Sequence, residues 1–284
     1  MNNKMIITEC PRDAMQGLSK FISTKDKAAY INSLLKVGFD VIDFGSFVSP
    51  KAVPQMKDTA DVLSLLKLNQ RTSLLSIVLN KKGADQACCF EEIKMLGYPL
   101  SVSEIFQKKN SNKSIRESLD VLDDIFNLCI KNNKVLVVYF SMAFGNPYGE
   151  KWDKEVLFHY IQKIEKKGIV HISLADTIGN SDKFTIQSIF KDTNKKFKKL
   201  NIGLHLHSHP NSVHEKIESA WLSGCRRFDV AMSGYGGCPF AQDELIGNIP
   251  TEKLLNFLAQ YNIEHSLDLL AFENAYNKAR SIFI

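Results

Sequence analysis

The segment Gly203-Leu-His205-Leu-His207-Ser-His209-Pro210 carries three imidazoles at alternate positions. In a β-strand, residues two apart project to the same face. His205 and His207 are therefore predicted to enter one site together. Pro210 ends the strand and leaves His209 at the rim. Two imidazoles on one buried face need compensation, because an unpaired buried polar group costs free energy. A shared metal supplies it; a pair of hydrogen-bonded core histidines is the alternative. Two His with one Asp leave coordination positions open for substrate oxygens, a mixed N/O set that suits Mg²⁺, Mn²⁺ or Co²⁺. Gly236-Gly237-Cys238-Pro239 puts a thiol on a glycine-rich loop. Cys238 reads either as a proton donor and acceptor on a moving lid or as a cysteine in a tight turn. Cys88, Cys89, Cys129 and Cys225 read as structural or neutral, and none of the six cysteines forms a C-x-x-C pair. That excludes a zinc ribbon and a thioredoxin-like motif.

Something must bring these residues together. Eight short apolar runs are predicted as strands, at 5–8, 41–44, 74–79, 100–103, 135–140, 170–174, 202–207 and 228–231. Longer amphipathic stretches lie between them, among them 24–37, 114–131 and 154–167. Thr24, and Ser114 with Glu117 three residues later, read as helix N-caps. Gly38, Gly97 and Gly168 read as helix ends, where a left-handed residue is expected. Eight strand–helix alternations predict α/β architecture, a closed (β/α)₈ TIM barrel with extra C-terminal helices from Thr251 onward. The whole span 1–284 is predicted to be one domain. An open doubly wound sheet is the alternative, but no G-x-G-x-x-G follows the first strand.

A barrel predicts where chemistry sits, namely at the C-terminal ends of strands and in the loops that follow. Arg12 and Asp13 follow strand one, Asp43 and Ser46 end strand two, and Glu104 follows strand four. Asn146 follows strand five, Asp176 and Thr177 follow strand six, and Cys238 follows strand eight. Together with His205 and His207 in strand seven, they converge on one rim.

Composition narrows the partners. The 284 residues carry 36 Lys+Arg against 31 Asp+Glu, a formal charge of +5. That excess is small and dispersed, so no nucleic-acid surface is expected. It suits a polyanionic small molecule. The lysine cluster at 191–199 reads as a solvated helix face. The apolar run at 135–140 is far short of the roughly 20 residues a membrane helix needs. The N-terminal residues have no signal-peptide pattern, so a reducing cytoplasmic setting with free thiols is expected.

The motifs, in order, resemble 3-hydroxy-3-methylglutaryl-CoA lyases. Glu9-Cys-Pro-Arg12-Asp13-Ala-Met-Gln16 resembles that family's E-x-x-P-R-D-G-L-Q opening, with one residue fewer before the proline. Ser46-Phe-Val-Ser-Pro-Lys-Ala-Val-Pro-Gln-Met56 is similar to its S-F-V-S-P-K block. Ser103-Glu104, Ser173-Leu-Ala-Asp176-Thr177-Ile-Gly179, His205-Leu-His207 and Gly236-Gly-Cys238-Pro-Phe-Ala241 follow in the family's order. The resemblance implies metal-dependent cleavage of 3-hydroxy-3-methylglutaryl-CoA to acetyl-CoA and acetoacetate, of the leucine-degradation type, by a homodimer. It implies Asp13, His205, His207 and Asn248 as ligands of Mg²⁺ or Mn²⁺. Arg12 would stabilise the enolate oxygen, Cys238 would act from its loop, and Asp43 stands where the family has a glutamate. Gln16, Ser46 and Thr177 would line the substrate pocket. Cys238, His205 and Asp176 are three candidates for the proton transfers. The chain departs from the family at Ser208, where Asp is common, and at Asn146, where Cys is common. The loop from Cys238 to Asn248 is one residue longer. A related barrel aldolase or synthase acting on another acyl-CoA or a 2-oxo acid is one alternative. A metallohydrolase and a non-catalytic acyl-CoA-binding relative are others.

Overall fold

The computed structural model describes residues 5–237 and 246–283, so Cys238 lies outside the described residues. The chain runs β1 (Ile6–Glu9), α1 (Pro11–Gln16), α2 (Thr24–Val37), β2 (Val41–Ser46), α3 (Thr59–Ser64), β3 (Ser73–Ile77) and α4 (Lys81–Cys88). It continues through β4 (Ile93–Ser101), α5 (Glu104–Ser111), α6 (Ile115–Lys131), β5 (Val135–Ser141), α7 (Lys154–Lys166) and β6 (His171–Asp176). The last part is α8 (Lys183–Lys196), β7 (Asn201–Leu206), α9 (Val213–Leu222), β8 (Arg227–Val230), α10 (Thr251–Gln260) and α11 (Leu269–Phe283). The strands close into a barrel in sequence order, with every neighbour parallel. This is the (β/α)₈ barrel expected from the alternation, with extra helix at the C-terminus.

The helices form where local chemistry dictates. In α6, the Ser114 side chain accepts from Glu117 N while the Glu117 carboxylate reaches back to Ser114 N, a reciprocal cap. Ile115, Leu119, Leu122, Ile125 and Cys129 recur at helical spacing and are buried. The cap of α2 is Ser23 and not Thr24; Ser23 Oγ accepts from Asp26 N at 3.1 Å. Gly38 ends α2 at φ 83°, a conformation that favours glycine.

Strand four differs from its expectation. It spans Ile93–Ser101, and Gly97 sits in its middle and not at a helix end. The reason is interior crowding: a Cβ on Gly97 would lie 2.5 Å from Ile77 Cδ1 and 3.0 Å from the Tyr139 ring. The glycine that looked like punctuation makes room inside the barrel.

The five described cysteines are free. No helix among the described residues is long and apolar enough to cross a membrane.

Candidate active site

The C-terminal mouth of the barrel opens into a cavity of about 140 Å³. Its polar wall is Arg12, Asp13, Gln16, Thr177, His205 and His207; its apolar wall includes Val53, Ile77, Leu79 and Phe106. Ser46 also lines it. The strand parity proposed for the two histidines holds. His205 is inside β7 and His207 follows the strand end, with the rings 5.3 Å apart.

Ligand atoms from Asp13, His205 and His207 all lie within 4.8 Å of one another. The His207 ring is held through Nδ1, whereas His205 Nδ1 is buried with no hydrogen-bond partner among the described residues and lies 3.4 Å from Asp229 Oδ2. His207 Nδ1 meets Thr177 O at 3.0 Å, leaving Nε2 buried with no partner among the described residues. Burial, reinforced by the neighbouring His205, pushes His207 down to about 4, so it is a neutral imidazole with a free lone pair. Burial works against charge on His205, yet Asp229 and Asp13 raise it above its ordinary value. Asn248 donates Nδ2 to Asp13 Oδ2 at 2.7 Å and to Tyr235 O at 2.9 Å. Its buried Oδ1 has no partner among the described residues. Buried polar atoms without partners are costly unless something else meets them. A hard divalent cation bound by oxygen and imidazole fits this set.

Arg12 lies beside these groups in a fixed fork. Nε donates to Asp43 Oδ1 and Oδ2 at 3.3 and 3.0 Å, and Nη2 donates to Asp43 Oδ2 at 2.5 Å. Nη1 donates to Asp13 Oδ1 at 2.9 Å and Gln16 Oε1 at 3.0 Å. Gln16 Nε2 donates to the same Asp13 oxygen. Burial pushes the Asp43 carboxyl up to about 6, against the pull of Arg12. Asp43 therefore stands as the anchor of Arg12. Burial likewise opposes the Asp13 charge, but Arg12, both histidines and Asn248 hold its carboxyl below the usual range.

Asp176 is corrected. In the β6–β7 ladder Ala175 pairs with His205, and Asp176 pairs with Leu206. Alternation sends Ala175 into the cavity and Asp176 to the helix side, away from any substrate. There Asp176 Oδ2 accepts from Lys216 Nζ at 2.7 Å and from Ser181 Oγ at 2.5 Å. Lys216 Nζ also donates to Gly179 O and His207 O, each at 2.8 Å. Both charges are about 1–2% exposed, so each depends on the other. Lys216→Met is expected to lower the unfolding free energy by about 3–5 kcal/mol, because it leaves a buried carboxylate unpaired. Urea denaturation measures this. A change within the ±0.5 kcal/mol or so of a surface substitution would refute the dependence.

Three further expectations resolve into loop structure. Glu104 accepts from Ile115 N at 3.0 Å, so it joins α5 to α6. Asn146 Oδ1 accepts from Tyr148 N and Glu150 N, and Glu150 in turn holds Ser103 Oγ and Ile105 N. Asparagine here shapes a turn. Ser208 bonds His209 O and Ser212 Oγ, bracing the turn at Pro210, and His209 is exposed.

Two residues escaped the sequence reading. Asp229 places Oδ2 3.4 Å from His205 Nδ1 and accepts from Ser173 Oγ at 3.1 Å. Lys216 reads in sequence as one more polar residue of a helix. The only local signal for Asp229 was an ionisable residue between Phe228 and Val230, and nothing local singled out Lys216.

The HMGL-like family model matches residues 4–278. The hydroxymethylglutaryl-CoA lyase YngG of Bacillus subtilis is 30% identical over 91% of this chain and 86% of its own length. A 3-hydroxy-3-isohexenylglutaryl-CoA/hydroxymethylglutaryl-CoA lyase of Pseudomonas aeruginosa is 28% identical over 93% and 88%. The structure of an HMG-CoA lyase from A. baumannii with coenzyme A and 3-methylmalate superposes with a TM-score of 0.92. That match is 28% identical and covers 99% of this chain and 92% of the other.

Proposed function

The chain belongs to the HMGL-like family and is a lyase, and from that premise we propose that it cleaves 3-hydroxy-3-methylglutaryl-CoA to acetyl-CoA and acetoacetate with a divalent cation, Mg²⁺ or Mn²⁺. The observation that carries this reading is the convergence of Arg12, Asp13, His205 and His207 on one cavity.

The reaction asks for three things. The tertiary hydroxyl must lose its proton, the C2–C3 bond electrons must pass to the thioester carbonyl, and the resulting enolate must gain a proton at carbon. When bound, the cation supplies positive charge that lowers the hydroxyl pKa and orients it. Asp13, His205, His207 and Asn248 are the residues that would hold it. Arg12 meets the enolate oxygen. Its two Nη2 hydrogens include one that no described residue accepts, since Asp43 takes the other. A donor already fixed in place stabilises developing charge without reorganising. Gln16, Ser46 and Thr177 bound the acyl group. With Asp176 committed behind the barrel wall, His205 and Cys238 remain for the proton transfers. The family resemblance further supports a homodimer serving leucine breakdown.

The test is acetoacetate release from 3-hydroxy-3-methylglutaryl-CoA with added Mg²⁺ or Mn²⁺ and with chelator. Cation-dependent release is expected. Folded, cation-loaded protein that releases none would overturn the substrate. The 3-hydroxy-3-isohexenylglutaryl thioester, named for one relative, would be assayed beside it.

A further inference from the structure

Glu9 opens the sequence motif, yet it faces away from the cavity. On β1, Ile6 and Thr8 line the interior of the barrel, and Glu9 alternates to the outer side. It is completely buried there. Its two oxygens take one donor each. Met232 N donates to Oε1 at 2.8 Å, and Thr251 Oγ1 donates to Oε2 at 2.6 Å. Met232 leaves β8 and Thr251 opens α10, so one carboxyl joins the two ends of the segment between them. The ends are also joined by backbone: Ala231 N donates to Ile249 O, and Thr251 N donates to Ala231 O.

From Met232 the connection runs into the cavity. Tyr235 N donates to Met232 O at 3.2 Å, closing a short turn. Tyr235 O accepts from Asn248 Nδ2 at 2.9 Å. The second Asn248 Nδ2 contact is Asp13 Oδ2 at 2.7 Å. With both amide hydrogens engaged, the direction of Asn248 Oδ1 is fixed, and that oxygen is buried without a partner among the described residues. The ring of Tyr235 stacks on Phe283 at 4.4 Å, which holds the same turn from α11.

We propose that Glu9 is a positioning residue for the candidate metal centre: by tying Met232 to Thr251 behind the barrel wall, it fixes Tyr235 O and with it the direction of Asn248 Oδ1. The proposal rests on the reading that Asn248 acts with Asp13, His205 and His207. Burial, opposed by the bonds from Thr251 and Met232, raises the Glu9 carboxyl to about 8. Each carboxyl oxygen accepts one bond, from Met232 N and from Thr251 Oγ1. Glutamine keeps Oε1 as the acceptor for Met232 N and sets Nε2 against the Thr251 hydroxyl, whose oxygen can accept as well as donate. Leucine has neither group.

The experiment compares Glu9→Leu with Glu9→Gln, reading the Mn²⁺ dissociation constant by calorimetry in the absence of acyl-CoA. Glu9→Leu is expected to weaken Mn²⁺ binding by about 10–100-fold, the range for groups that orient ligands from behind, while Glu9→Gln stays near wild type. Folded Glu9→Leu protein that binds Mn²⁺ as tightly as wild type overturns the proposal. So does Glu9→Gln protein weakened as much as Glu9→Leu. If Glu9→Leu fails to fold, Thr251→Val cuts one of the two contacts and is expected to weaken Mn²⁺ in the same direction. An unchanged constant there overturns the role. Since no acyl-CoA enters the measurement, an inactive wild type would overturn the reaction and leave Glu9 standing. Wild-type protein that takes up no Mn²⁺ overturns both the ligand set and Glu9.

Discussion

Arg12→Met is expected to lower kcat by about 10²–10³-fold, the usual cost of removing one preorganised donor from a developing oxyanion. Asp43 holds Arg12 through Nε and Nη2, so the guanidinium cannot turn away to another partner as charge develops. The substitution leaves Asp43 buried without a cation. Its carboxyl already sits up at about 6; without Arg12 it moves further up and is neutral, so the fold survives. Methionine keeps the volume and loses the charge. Lysine keeps the charge but cannot reproduce the fork on Asp43, so Arg12→Lys is expected to recover little. The measurement is kcat at saturating cation and acyl-CoA, with Mn²⁺ affinity taken separately. An unchanged kcat would remove Arg12 from the chemistry.

His207→Ala is expected to weaken Mn²⁺ binding by more than about 100-fold, beyond what losing an orienting neighbour does. Turnover should fall with it at physiological cation concentration. The ring is neutral and its buried Nε2 has no partner among the described residues. Its other nitrogen meets Thr177 O, and loss of that contact costs about 1–3 kcal/mol of stability, too little to unfold a barrel of this size. Calorimetric titration with Mn²⁺, with circular dichroism to confirm the fold, separates the two effects. A dissociation constant equal to that of wild type would refute the ligand role.

The site was legible in the sequence wherever the reasoning was local. His205 and His207 share a face because they are two apart in one strand, and no other element can change that parity. Arg12 and Asp13 stand together at the start of α1, directly after β1, because they are neighbours in the chain. The alternation of apolar strands with amphipathic helices, counted eight times, was enough for a closed barrel. Reasoning failed where one residue of offset mattered. Asp176 stands next to Thr177, which lines the cavity, and the motif gives no hint that the strand turns it outward. Gly97 looked like a helix end because a glycine is ambiguous until its neighbours are known.

The barrel, the order in which its rim is populated and the histidine pair can be read from the chain alone, because strand and helix periodicities are properties of adjacent residues. Which polar side chains meet depends on the closed fold. Arg12 reaches Asp43 across 31 positions, Asp176 reaches Lys216 across 40, and Glu9 reaches Thr251 across 242. Closing the barrel brings β1 beside β8. Only then do the first strand and the segment after the last one share a buried interior, where an ionisable group must find a partner or give up its charge.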